Sequence, residues 1–218
     1  MKKKVLTMAA IAICASVAAT GTLAYYTASD TAHNVITSGG VTIEVVETMK
    51  DAEGNITEFP TTPVAGVMPG ASVSKIVSVQ NTGENDAWVR VHVDTVIHKA
   101  PRVSAFNDLL PLEVDGVEMI TYDFNTTDWE QIGDYFFYWK PVPPVELDDQ
   151  GNVIAGVTET LFENVSFAKE MGNDYQNCRI EINVEAEAIQ VDNNELADGA
   201  DITSVWPEFW PTLLDENN

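Results

Sequence analysis

Toward the C-terminal end of the chain, Ile180, Ile182, Val184, Ala186 and Ala188 alternate with Glu181, Asn183, Glu185 and Glu187, and this spacing restricts the fold more than any other feature. A period of two puts every apolar side chain on one face of an extended strand, whereas a helix would spread the glutamates around the core. The pattern recurs. Val41, Ile43 and Val45 alternate with Thr42 and Glu44, and Val89, Val91 and Val93 alternate with Arg90, His92 and Asp94. Val73, Val77 and Val79 alternate with Ser74 and Ser78, a run that Ile76 breaks. Strands with one buried face throughout the chain predict an all-β, antiparallel β-sandwich.

Turn chemistry falls between these runs. Asp51-Ala52-Glu53-Gly54-Asn55, Asp148-Asp149-Gln150-Gly151-Asn152 and Asp115-Gly116 each read as a hairpin tip, because Asp, Asn and Gly accept the backbone angles of tight turns. Pro69-Gly70 and Gly83-Glu84-Asn85-Asp86 bracket the strand from Val73 to Gln80. Ser104 to Leu110 and Asp128 to Ile132 read as short helical segments in loops. The aromatic run Tyr135 to Trp139, stopped by Pro141, reads as a strand with Phe136 and Tyr138 on one face and Tyr135, Phe137 and Trp139 on the other. Both faces then need cover, which a core strand under a loop supplies; a sugar-binding platform is the alternative. Near the end, Trp206-Pro207 and Trp210-Pro211 exclude helix and predict an extended tail packed back on the domain.

The chain begins with Lys2, Lys3 and Lys4, an apolar run from Val5 to Ala19, and small residues up to Ala24. This is the layout of an export signal. The apolar run is short of the roughly 20 residues a membrane span needs, and no basic stop-transfer group follows it. Cleavage is expected between Ala24 and Tyr25, giving 1–24 as signal, 25–190 as a β-sandwich domain and 191–218 as an acidic tail. Removing the three signal lysines leaves 8 basic against 34 acidic residues, a formal charge of −26. Nucleic acid and anionic lipid are repelled by such a field. Once Cys14 leaves with the signal, Cys178 has no partner in the chain, so a disulfide framework is excluded; this suits Gram-positive-type export. The expected location is extracellular or at the cell surface, with no stable membrane insertion after cleavage.

Gly21-Thr22-Leu23-Ala24 before Tyr25-Tyr26-Thr27, followed by Ala32-His33-Asn34-Val35-Ile36-Thr37-Ser38-Gly39-Gly40-Val41, resembles the start of the camelysin/TasA group of exported proteins. Met68-Pro69-Gly70, Val79-Gln80-Asn81-Thr82-Gly83 and Trp88-Val89-Arg90-Val91 resemble its second strand region, and Glu185-Ala186-Glu187-Ala188-Ile189-Gln190 its closing strand. The resemblance implies a jelly-roll-like β-sandwich, processing by a dedicated signal peptidase, and a biofilm-matrix role in which the chain polymerises with copies of itself. It implies that residues 25–36, beginning Tyr25, Tyr26, Thr27 and Ala28, serve as a strand donated to the next subunit.

The camelysin side of the resemblance implies a metal-dependent endopeptidase, which the residues do not favour. His33, His92 and His98 form no pair four apart around a glutamate. His92, with Arg90 and Asp94, reads as part of a solvated strand face that His98 would share if the strand ran on without a bulge. No serine or cysteine stands in a nucleophile motif. Asp148, Asp149, Asp192, Glu195, Asp198 and Asp201 lack calcium-loop spacing and read as solvated turns. The expected function is therefore structural, without catalysis, metal or cofactor. The alternatives are the endopeptidase and a carbohydrate-binding module using Trp206, Trp210 or Tyr135.

Overall fold

The computed structural model of the chain describes residues 26–34, 41–60, 62, 64–99, 108–192 and 194–206. Its first half holds β1 (Tyr26–Asn34), β2 (Ile43–Lys50), β3 (Ile56–Glu58), β4 (Val64–Val67), β5 (Ser72–Asn81), β6 (Ala87–His98), β7 (Leu109–Leu110), β8 (Glu113–Val114) and β9 (Val117–Glu118). The second half holds β10 (Ile120–Tyr122), β11 (Trp129–Ile132), β12 (Tyr135–Tyr138), β13 (Glu146–Leu147), β14 (Val153–Ala155), β15 (Phe162–Phe167) and β16 (Arg179–Gln190). The expected all-β sandwich is what forms. One sheet runs β11-β12-β6-β16-β1-β4, with β7 on the end of β6, and the other runs β10-β15-β5-β2-β3. All strand pairings are antiparallel among the described residues except one, β1 beside β16.

The alternating run becomes β16, paired along its whole length with β6 from Arg179↔His98 to Gln190↔Ala87. Ile180, Ile182, Val184, Ala186 and Ala188 are all buried in the main core. Side chains shrink along that row from isoleucine to alanine. Phe136, in register with Val91 and thus with Ala186, lies at the alanine end, where two small residues leave volume for an aromatic ring. The second sheet contributes Ile43, Val45, Val77, Val79, Phe162 and Val165 to the same core.

The break at Ile76 is a β-bulge. Val77 faces Phe162 and Ser74 faces Asn164, so β5 spends one residue more than β15 over that stretch. The bulge brings both Lys75 and Ile76 inside, at 2 % and 8 % exposure. Buried Lys75 is held by Glu47 at 2.7 Å and lies 4.3 Å from the centre of the Phe59 ring. Its charge is therefore compensated on both sides.

The three hairpin tips form as their residues predict. Asp115 and Gly116 have φ of 52° and 77°, the paired positive values of a two-residue type I′ loop between β8 and β9. In the other two tips, Asp51 and Asp148 accept backbone N–H groups two and four residues on. The helical reading of Asp128 to Ile132 is corrected: Trp129–Ile132 is a strand paired with Tyr135–Tyr138. Gly133-Asp134 is the loop that decides it, with Gly133 at φ 62°, since a Gly-first two-residue loop closes a hairpin. The helical reading of Ser104 to Leu110 falls partly outside the described residues, and its end, Leu109–Leu110, is strand. The helical elements among the described residues are single 3-10 turns at Asn173–Tyr175 and Ile202–Val205.

Beyond β16 the chain folds back. Ile202, Val205 and Trp206 form a second apolar cluster with Trp88 and Phe137, on the face of the first sheet opposite the main core. The Trp88 indole donates to the carbonyl of Asn194 at 2.9 Å, which anchors the start of this strap. No helix among the described residues is long and apolar enough to cross a membrane.

Candidate functional site

β16 is the longest-paired strand of the sheet, and both its edges are occupied. β6 covers one. On the other lies β1, in eight parallel pairs from Thr27↔Arg179 to Asn34↔Ala186. The far edge of β1 is met by β4 through Tyr26↔Val67, Thr27↔Ala65 and Ala28↔Val64. The segment just after the expected cleavage junction thus fills a slot between two strands of its own sheet. Tyr26, Thr27 and Ala28 lie in that strand; Ala24, Tyr25 and residues 35–36 lie outside the described residues. Without β1, β16 would present a long row of unpaired N–H and C=O groups, a template for any added strand. β4 went unread in the sequence. It is a four-residue piece between Pro63 and Pro69, without the long apolar–polar alternation of β2, β6 or β16, and its pairing partner is remote in the chain.

Arg90 is the second departure. The alternation places it on a solvated face with His92 and Asp94, yet it is only 5 % exposed. Its Nε donates to Glu187 Oε2 at 2.8 Å, its Nη2 donates to the same oxygen, and its guanidinium lies 4.1 Å from the Tyr135 ring and 4.2 Å from that of Trp206. The strap carrying Trp206 covers this end of the face, which periodicity within a strand cannot foretell. The same contact corrects the sugar-platform role of Trp206, which is 2 % exposed and packs edge-on against Phe137. Trp210 lies outside the described residues. Tyr135 is half-buried between Arg90 and His92.

β6 does run without interruption as far as His98, so His92 and His98 share a face. They are six residues apart, about 20 Å along a strand, too far to bind one ion together. His98 instead faces Glu181 at 3.1 Å. Among the described residues no three His, Cys, Asp or Glu side chains are grouped to hold a metal ion. Cys178 is fully buried, and burial pushes its thiol up to about 12, a state opposed to the thiolate that nucleophilic chemistry needs.

The acidic turns are structural. Asp148 is held below its ordinary 3.8 first by the Asn152 side-chain amide and then by the backbone N–H of Asn152. Asp51 is lowered in the same way by Asn55. These carboxylates accept from the backbone of their own loops. Asn81, fully buried, ties three connections together: its amide donates to the carbonyls of Asn85 and Val142, each at 2.8 Å, and its oxygen accepts from Gly83. No protein-family profile, curated protein or solved structure matches this chain.

Proposed function

We propose that the chain is a secreted structural subunit of the camelysin/TasA kind, processed after Ala24, that assembles with copies of itself by exchanging its N-terminal strand, with no catalytic step. The observation that supports this is the placement of Tyr26–Asn34 between β16 and β4. The strand is joined to the rest of the domain at one end through residues 35–40 and, after cleavage, has a free amino end. Such a strand can leave its slot without threading the chain. Its ladder of backbone hydrogen bonds is the same whether it comes from its own chain or from a neighbour. The balance between the two is therefore set by protein concentration and by strain in the linker. Head-to-tail exchange yields a linear polymer where the rotation from one subunit to the next does not close, and a ring where it does.

The high negative charge counts against lateral clumping of such polymers and favours a basic or counter-ion-rich surrounding. Sedimentation of the mature protein over a wide concentration range tests the reading. Oligomers are expected, and they should vanish when Tyr25 to Thr31 are deleted. A wild-type protein that stays monomeric throughout would overturn assembly. Chelator-sensitive cleavage of a protein substrate, lost on substituting His92 or His98, would overturn the non-catalytic role.

A further inference from the structure

On the face of the first sheet opposite the main core, strand register brings three residues from distant parts of the chain into one row. His92 of β6 is paired with Glu185 of β16, and Glu185 is paired with His33 of β1. The row crosses three adjacent strands and sets a glutamate between two histidines. Val91, Val184 and Ala186, the neighbours of these residues along β6 and β16, are buried in the core, so the row belongs to the other face. Elsewhere on that face the charges are matched: Arg90 is joined to Glu187, and both His98 and Arg179 to Glu181. His92 and Glu185 are the exception. Glu185 is exposed, and neither residue makes a hydrogen bond or an ion pair among the described residues, although histidine and glutamate directly opposite each other are well placed to attract. His92 is backed by the Tyr135 ring at 5.6 Å. His33 enters through its backbone register alone, and the absence of a metal-holding group among the described side chains does not extend to it.

We infer that the row His33–Glu185–His92 binds a divalent metal ion of the zinc class and thereby fastens β1 into its slot. Two histidines and one glutamate make a zinc ligand set, whereas calcium and magnesium require oxygen ligands throughout. Neighbouring strands lie about 4.8 Å apart, so the two histidine backbones stand about 10 Å from each other. Two histidine ligands of one tetrahedral ion bridge such a span, with the carboxylate of the middle strand beneath the ion and a water in the fourth position. The high negative charge of the chain draws cations to this face. Because the ion needs β1 in place, its binding free energy adds to the docking of that strand. The row is complete whether β1 comes from its own chain or from a neighbour, so the site does not rest on assembly; where exchange occurs, the same ion joins two chains.

The test is titration calorimetry of the full exported chain, prepared without a histidine tag, with zinc chloride. A single saturable site is expected. Zinc should slow hydrogen exchange in residues 26–34 and leave that of β15, in the other sheet, unchanged. His33→Gln, Glu185→Gln and His92→Gln should each weaken zinc binding by about tenfold or more, since even the residues behind a metal ligand are worth that much. Their melting temperatures without zinc should match that of the wild type, which separates loss of a ligand from loss of the fold. His98→Gln, on the same face of β6 but engaged with Glu181, should leave binding unchanged. Full zinc affinity in His33→Gln would overturn the row, because the ion would then be held without β1. Equal weakening by His98→Gln, or calcium bound as tightly as zinc, would show a diffuse charge effect and overturn the site. Absence of saturable zinc binding would overturn it outright.

Discussion

Replacing Trp206 by alanine and replacing Phe137 by alanine should have different consequences, although the two rings touch. Their centroids are 6.1 Å apart and both are almost fully buried. Removing a buried large aromatic side chain costs about 3–5 kcal/mol when the domain must stay folded around the gap. Phe137 sits in β12, paired with Arg90 of β6, and cannot leave without opening the sheet. Its loss should lower the melting temperature by roughly 10 °C for a domain of this size. Trp206 rides on the strap that follows β16. The strap can undock, leaving Arg90 hydrated and still paired with Glu187, so the penalty is capped by the free energy of local release. Calorimetry should show a shift of a few degrees at most for Trp206→Ala. Hydrogen exchange of residues 194–206 should rise sharply, and Trp88 emission should move to the red. If Trp206→Ala lowers the melting temperature as far as Phe137→Ala does, the strap is an integral part of the sandwich and the reasoning is wrong.

Gly156 has φ 86°, and a Cβ there would stand 2.3 Å from Val145 Cα, so Gly156→Ala should destabilise by more than the 1–2 kcal/mol of backbone strain alone, read by urea unfolding. Native Cys178 should stay unreactive toward a thiol reagent at pH 8 and react only on unfolding; fast labelling of the folded protein would contradict its burial. Acid should weaken the fold through Asp123, where burial by itself raises the carboxyl but the side-chain and backbone N–H groups of Asn164, with that of Glu163, outweigh it. Asp201 is lowered by the backbone and hydroxyl of Thr203. Because these folded-state values lie below the ordinary 3.8, their stabilisation is present above about pH 4 and is lost as pH falls through the lowered values. Melting temperatures taken from pH 6 down to pH 2 should show the loss concentrated at the acid end, and a main loss near pH 6 would contradict it.

Much of the sandwich was legible because its strands carry their own pattern. Ile180 to Ala188 states its buried face without reference to a partner, Asp115-Gly116 specifies its turn, and even the anomaly at Ile76 marks a bulge. Gly133-Asp134 carried an equally local signal that the apparent helical segment hid. What stayed illegible depends on remote partners. That β1 lies parallel to β16 is not written in Tyr26–Asn34, whose weak alternation fits several edges. That Arg90 is buried depends on a tryptophan far along the chain.

The exchange of β1 between chains can be read from a single cross-link. Thr31 of β1 is in register with Asn183 of β16, and neighbouring strands lie about 4.8 Å apart, within disulfide reach. A chain carrying Thr31→Cys is mixed with one carrying Asn183→Cys and oxidised, and the products are weighed by mass spectrometry; a third chain carrying both substitutions shows that the pair can close. The account predicts a disulfide-linked species holding one chain of each kind, increasing with concentration. If the double variant closes within one chain while the mixed single variants remain unlinked at every concentration, the strand serves its own sheet alone and assembly by exchange is wrong.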